Sequence, residues 1–142
     1  MGKKKIVNKG SDENIKSGSR SKKVSRRKMD SGILYVQSTF NNTKILLTDT
    51  KGNAVASSSS GALGFRGAKK GTPFAAAKAA EVLSEKAEQM GLKTIKVIVK
   101  GVGAGRESSI RGFISKGIDI SSIEDQTPVP FNGPKAPKPR RI

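Results

Sequence analysis

The apolar residues of this chain are concentrated in its middle, and this distribution decides which part of it can fold. Residues 1–28 carry only scattered apolar side chains, and residues 126–142 contain five prolines spaced two to four residues apart. A segment with few apolar side chains cannot offset the entropy of ordering its backbone, and closely spaced prolines prevent helices and central strands. The sequence therefore predicts a disordered basic arm over residues 1–30, one folded domain over 31–125 and an extended, proline-rich basic tail over 126–142.

The charge of the chain is strongly positive and unevenly distributed. The 28 Lys and Arg residues outnumber 11 Asp and Glu, which gives a formal net charge of +17. Residues 1–28 contribute +9, residues 29–125 contribute +4 and the tail contributes +4. A surplus of this size favours a polyanionic partner, either nucleic acid or an acidic membrane surface. Because no apolar run is long enough for a secretory signal or a membrane span, we expect a soluble, intracellular protein with no membrane partner.

The chain contains neither histidine nor cysteine. It therefore has no disulfide, no thiolate nucleophile, no imidazole base and no imidazole metal ligand. Serine triads, zinc fingers and most transition-metal sites are excluded. We expect a binding protein that is not an enzyme and that uses no cofactor, no metal and no small-molecule substrate.

Apolar periodicity in the middle of the chain predicts both strands and helices. Alternating or β-branched runs predict strands near residues 32–39, 43–49, 54–58, 94–100 and 118–125. Thr72 as N-cap, Pro73 at the first helical position and Gly91 as a stop predict one helix, and Gly117 ends a shorter second helix. Hairpins join antiparallel strands and helical crossovers join parallel ones, so the order β-β-β-α-β-α-β predicts a three-layer α/β fold with a mixed sheet.

Two glycine-rich segments each lead into a predicted helix. The first, residues 57–71, contains three basic residues, and the second, residues 101–105, precedes Arg106. Free N–H groups and the helix dipole attract anions at a helix N-terminus, and glycine lets a phosphate approach the backbone closely. Neither segment has the spacing of a mononucleotide or dinucleotide loop. The segments therefore predict contacts with the phosphates of a nucleic acid.

Aromatic residues are few, with five Phe and one Tyr. We expect Tyr35, Phe74 and Phe113 to lie in the core, whereas Phe65 and Phe131 fall in basic stretches where they could stack on a base or dock on protein. No aromatic pair has strand spacing, which single-strand binders usually show. The sequence therefore favours recognition of folded RNA through its backbone and shape.

Two other functions remain open from the residues alone. A metal-dependent ribonuclease could use the carboxylates of Asp49, Glu81 and Asp125, although ordinary surface acids fit these positions equally well. A basic protein that shapes DNA is the other alternative. Turnover of RNA with Mg²⁺ would favour the first, and equal affinity for duplex DNA and folded RNA would favour the second.

Several motifs, in order and at matching spacing, resemble the universal small-subunit ribosomal protein S11 family of bacterial type over about residues 31–142. They are FNNT from Phe40, D-x-x-G-N from Asp49, GFRGAKKGTPFAA from Gly64, KGVGAGRES from Lys100 and DQTPVPFNGPKAPKPRR from Asp125. The resemblance implies a ribonuclease H-like fold without the nuclease carboxylates. It also implies a structural constituent of the cytoplasmic ribosome, with an organellar ribosome as the less favoured alternative.

The resemblance further implies binding of 16S-type ribosomal RNA in the platform of the small subunit, near the messenger exit and Shine–Dalgarno region. Its partners would be small-subunit rRNA and neighbouring platform proteins, with contact to the Shine–Dalgarno region of the messenger left open. Carried over by position, the RNA-contacting residues of the family fall on Asn41, Asn42, Thr43, Gly64, Phe65, Arg66, Gly67, Lys69, Lys70, Thr72, Gly103, Gly105, Arg106, Asn132, Gly133, Lys135, Lys138, Arg140 and Arg141.

Overall fold

The computed structural model describes residues 28–139. The expectations for residues 1–27 and for Arg140 and Arg141 therefore concern parts of the chain outside this description. The first described residues already contact the rest of the domain, because the N–H of Met29 donates to the carbonyl oxygen of Met90 at 3.1 Å.

Five strands form one mixed sheet. They are β1 (Ser31–Ser38), β2 (Thr43–Asp49), β3 (Ala54–Ser59), β4 (Thr94–Lys100) and β5 (Asp119–Asp125). The spatial order is β3-β2-β1-β4-β5. Strand β2 is antiparallel to β1 and β3, whereas β4 is parallel to β1 and β5. The predicted α/β class, element order and mixed sheet are confirmed.

Two helices connect the parallel strands. They are α1 (Pro73–Gln89) and α2 (Gly105–Ile114), and a short 3₁₀ helix (Gly67–Gly71) precedes α1. The predicted N-cap is confirmed, because the Thr72 hydroxyl accepts the N–H of Ala75 at 3.3 Å and Pro73 follows it. Helix α1 ends where Gly91 adopts a φ of 77°, a left-handed conformation that favours glycine.

The core lies between the helix pair and one face of the sheet. Leu34 of β1 is fully buried and is paired in register with Leu47 of β2 and Val97 of β4. Helix α2 adds the fully buried Phe113, as predicted. The helices can approach closely because Gly112 has no Cβ atom. A Cβ at this position would lie 2.9 Å from the carbonyl oxygen of Ala77. Small side chains at this crossing let α1 and α2 cover the same face of the sheet together.

Two aromatic residues lie outside this core. Phe74 is 63% exposed, because it lies outside the buried stripe of α1, which runs through Ala76, Ala80 and Leu83. Tyr35 is partly buried, but it points away from the helices, since strand side chains alternate and Leu34 occupies the core face. The prediction that both rings are core residues was therefore wrong.

Candidate nucleic-acid interface

The topology brings the predicted segments to one end of the sheet. The parallel strands β1, β4 and β5 all finish there, β3 also finishes there, and β2 and both helices begin there. This end therefore carries the hairpin turn at residues 39–42, the segment 60–72, the turn 101–105 and the start of the tail at residue 126. We call these four parts the loop end. No sequence motif alone shows that they are neighbours.

The hairpin turn holds the other parts of the loop end in place. The side-chain oxygen of Asn42 accepts the N–H of Thr43 at 3.0 Å and that of Gly61 at 3.3 Å. Thr43 is buried, and its hydroxyl shares a hydrogen bond with that of Ser38 at 3.4 Å. Asn42 and Thr43, predicted as RNA contacts, thus connect β1 and β2 to the segment that follows β3, while Asn41 is exposed.

The segment 60–72 is anchored at both ends and open between them. At its start, the N–H of Ser60 donates to the carbonyl oxygen of Thr43 at 3.1 Å. Near its end, Gly71 lies so close to the Phe40 carbonyl that a Cβ atom would overlap the oxygen. Between these anchors, residues 61–64 and 66–69 are exposed. The segment therefore presents its side chains outward on a fixed base.

The basic side chains of this segment are not neutralised by the domain. Among residues 28–139, none of Arg66, Lys69 and Lys70 forms an ion pair. The N–H groups of Phe65 and Arg66 likewise find no acceptor in that part of the chain. The N–H groups at the start of α1 are only partly available to an anion, because the N–H of Ala75 already donates to the Thr72 side chain. Anion binding here would depend on the cations and loop amides more than on the helix N-terminus.

The turn at residues 101–105 is packed against the hairpin instead. The N–H of Gly103 donates to the carbonyl oxygen of Ser38 at 3.1 Å, and Gly103 and Gly105 are buried. A Cβ atom at Gly105 would lie 2.7 Å from the Cβ of Ala76 and would overlap the Thr43 hydroxyl. The sequence predicts amides open to a phosphate at this turn. The structure differs, because these glycines let protein segments approach one another.

Arg106 joins this turn to the tail. Its guanidinium donates to the carbonyl oxygen of Gly101, to the Thr127 hydroxyl at 3.2 Å and to the Asp125 carboxylate at 2.7 Å. The Thr127 hydroxyl also accepts the N–H of Gly101 at 3.2 Å. The hydrogen bonds from Thr127 and then Arg106 lower the pKa of Asp125 to about 2. Arg106 therefore orders the exit of the tail, a role that its position in the sequence did not indicate.

This pKa shift predicts a pH dependence of stability. Because the folded state lowers the pKa of Asp125 from 3.8 to about 2, the group stabilises the fold above pH 3.8 and loses that contribution as the pH falls through 2. We expect Asp125→Asn to lower the melting temperature at pH 7 and to flatten its decline between about pH 4 and 2. Circular dichroism melting measures this, with Asp119→Asn on the same strand as control. Identical acid profiles for the wild type and Asp125→Asn would contradict it.

The tail leaves the loop end without forming a helix or strand over residues 126–139. The N–H of Gln126 donates to the carbonyl oxygen of Val99 at 2.9 Å, which continues the pairing of β5 with β4. Beyond Thr127 every described residue is exposed, including Phe131. Asn132 has a φ of 56°, a left-handed conformation that asparagine tolerates. Asn132, Gly133, Lys135 and Lys138 thus lie on an exposed strip of chain.

The acidic residues near the loop end each have a basic partner. The ion pairs are Glu107 with Arg111, Glu124 with Lys96 at 2.5 Å and Asp125 with Arg106 at 2.7 Å. Because these acids are paired, Arg66, Lys69 and Lys70 of segment 60–72, the open segment, give this end of the described domain its positive charge.

The carboxylates considered for a nuclease do not converge. Asp49 lies at the opposite end of the sheet, where it accepts the side-chain amide of Asn53 at 2.9 Å. Glu81 lies on α1 and pairs with Lys78 at 2.8 Å, and Asp125 is held by Arg106. Within residues 28–139 no group of three or more acidic side chains is arranged to hold a metal ion.

The domain is basic, and its glycine-rich segment presents Arg66, Lys69 and Lys70 without an ion pair among residues 28–139. As a class, it belongs with nucleic-acid-binding proteins. The family model described as "Ribosomal protein S11" matches residues 32–141. Since the match spans most of the chain, the protein belongs to the ribosomal protein S11 family.

Membership of this family establishes the general role. The chain is a protein of the small ribosomal subunit that binds ribosomal RNA, contacts neighbouring ribosomal proteins and serves translation. The family is one of structural ribosomal proteins and is not an enzyme family. None of the helices described for residues 28–139 is long and apolar enough to cross a membrane.

Proposed function

We propose that the loop end binds 16S-type ribosomal RNA in the platform of the small subunit, near the messenger exit and Shine–Dalgarno region of a cytoplasmic, bacterial-type ribosome. The observation that carries the proposal is the exposed segment with Arg66, Lys69 and Lys70, which have no acidic partner among residues 28–139. Its base is fixed by the hairpin turn, so little order remains to be imposed when RNA binds.

In this proposal the open segment contacts the RNA backbone. Arg66 binds a phosphate through its planar guanidinium, and Lys69 and Lys70 add point charges beside it. The unpaired amides at Phe65 and Arg66 donate to the same oxygens, and Gly64 and Gly67 permit the close approach. These contacts set the position of the domain on the RNA without reading its sequence.

Exposed rings beside these cations supply a second kind of contact. Phe40 is 65% exposed, and the Phe74 ring lies edge-on to Phe65 with ring centroids 6.1 Å apart. The Lys78 ammonium lies 5.7 Å from the centroid of Phe74. An unpaired base can stack on such a ring while the neighbouring cation meets its phosphate.

The tail extends the proposed interface. Lys135 and Lys138 are exposed on a proline-rich segment whose restricted backbone loses little entropy when it binds. Arg140 and Arg141 follow in the sequence and are proposed to bind phosphates in the same way. Arg106 and the buried glycines take part indirectly, since they fix the direction in which the tail leaves the domain.

Site-specific crosslinking inside the small subunit tests the proposal. A photoreactive amino acid is placed at position 66, 135 or 51 of the full chain, and each variant is assembled into subunits. We expect positions 66 and 135 to crosslink to platform rRNA, and position 51, at the opposite end of the sheet, to give no such product. Crosslinks from position 66 only to proteins, or only to rRNA outside the platform, would overturn the assignment.

A further inference from the structure

The face of the sheet opposite the helices carries a groove of about 440 Å³. Its floor is an apolar row that crosses three strands, because Tyr35 of β1 is paired in register with Leu46 of β2 and Ile98 of β4. Ile98 is only 6% exposed, while Tyr35 and Leu46 are partly buried. No helix among the described residues covers these side chains. The sheet therefore presents the partly exposed side chains of Tyr35 and Leu46 beside the nearly buried Ile98.

A basic row borders this floor on the side of the loop end. Gln37 of β1 is paired in register with Lys44 of β2 and Lys100 of β4, and all three side chains are exposed. Ser59 of β3 continues the row beside Lys44. Alternation along the strands places these residues on the same face as Tyr35. The groove thus has an apolar floor that contains one aromatic ring, and a polar rim that contains two lysines.

The charge of the groove is not balanced by the domain. Neither Lys44 nor Lys100 forms an ion pair within residues 28–139, and no Asp or Glu lines the groove. Glu124, which is paired in register with Ile98, is engaged by Lys96. A partner that complements this surface carries negative charge beside a flat or apolar group.

We propose that this groove binds an unpaired nucleotide of single-stranded RNA. Its base stacks on the partly exposed ring of Tyr35, beside Leu46, and the phosphates on either side of it bind Lys44 and Lys100. A nucleotide combines a flat apolar ring with flanking negative charge, and this combination matches the floor and rim. The basic row lies next to the loop end, so RNA bound there can continue onto this face. The site goes beyond the proposed platform contacts because it uses the opposite face of the sheet from the helices.

The chain contains a single tyrosine and no tryptophan, which makes Tyr35 a built-in reporter. The full chain is titrated with hexauridylate while tyrosine emission is recorded, and N-acetyltyrosinamide in parallel mixtures corrects for absorbance by the RNA. We expect saturable quenching of the Tyr35 emission. Binding detected by fluorescence anisotropy of labelled hexauridylate, without any quenching of Tyr35, would overturn the proposal.

Two variants test the rim and the floor separately. Lys44→Gln with Lys100→Gln should weaken the binding that quenches Tyr35 by about tenfold or more, and should lower the slope of log affinity against log salt by roughly 1.4, about 0.7 for each phosphate. Lys51→Gln with Lys86→Gln makes the same charge change at the other end of the domain and should leave quenching unchanged. Tyr35→Leu should weaken hexauridylate binding measured by anisotropy about tenfold, with circular dichroism checking the fold.

The outcomes separate this site from the loop end and from a protein partner. Substitution of Arg66, Lys69 and Lys70 should change the hexauridylate affinity measured by Tyr35 quenching by no more than about twofold. The result of this test therefore does not depend on whether the platform proposal is correct. Equal effects of the two double lysine variants would overturn the groove proposal. Displacement of hexauridylate from Tyr35 by hexaglutamate at equal concentration would also overturn it, and would identify an acidic protein segment as the preferred occupant.

Discussion

Replacement of Gly101 by alanine is expected to destabilise the domain by about 3–5 kcal/mol, on the order of a 10–20 °C fall in melting temperature. Gly101 has a φ of 97°, which an L side chain rarely adopts, and a Cβ atom there would overlap the carbonyl oxygen of Ser38. That oxygen belongs to the backbone at the end of β1, so it cannot move without disturbing the sheet. Thermal and urea unfolding of the full chain measure the effect.

Gly52→Ala is the matched control for this substitution. Gly52 has a φ of 89°, but no atom lies within 4 Å of the position that a Cβ would take. Its replacement should therefore cost only the backbone strain, about 1–2 kcal/mol. If Gly101→Ala and Gly52→Ala proved equally destabilising, the close approach of the turn to β1 would not be the reason for glycine at position 101.

Simultaneous replacement of Arg66, Lys69 and Lys70 by glutamine is expected to weaken binding to a platform fragment of small-subunit rRNA by on the order of 100- to 1,000-fold. Each charge-assisted contact with a phosphate is worth about 1–3 kcal/mol. The slope of log affinity against log salt should fall by about 2–3, since fewer counterions are released. The fold should be retained, because these side chains make no ion pair among residues 28–139. Filter binding at several salt concentrations measures both quantities.

The matched control removes the same charge from the other end of the domain. Lys51, Lys86 and Lys116 are exposed and lie in the β2–β3 turn, near the end of α1 and just after α2. Their replacement by glutamine should lower affinity by less than about tenfold through the general loss of charge. Equal losses for the two triple variants would show that binding follows net charge and that the open segment has no special position on the RNA.

The element order could be predicted because its signals are local. Alternation of Ile95, Val97 and Val99 marks a strand, and Thr72 followed by Pro73 marks a helix start, whatever surrounds them. The handedness of crossover connections then limits the sheet to few arrangements. These signals depend on neighbours within a few residues, which the sequence displays directly.

The roles of individual side chains in the candidate site were harder to predict. Gly103 and Arg106 fit an anion-binding turn in the sequence, yet the structure uses the first to approach β1 and the second to bind Asp125 and Thr127. Tyr35 and Phe74 were expected in the core because aromatic rings are usually buried there. Which partner reaches a glycine, an arginine or a ring depends on segments far away in the sequence.

By itself, the sequence determined that the chain is a basic α/β protein without histidine or cysteine chemistry, and that its cations are grouped at the ends and in a glycine-rich segment. Composition and short-range periodicity suffice for these properties because they depend on the side chains alone. Only the tertiary structure decided that residues 60–72 stay open while residues 101–105 close against the hairpin. The reason is steric and electrostatic. Strands β3 and β4 finish at the same end of the sheet, so both segments begin there, and the hairpin turn, Arg106 and Asp125 occupy the space around the second.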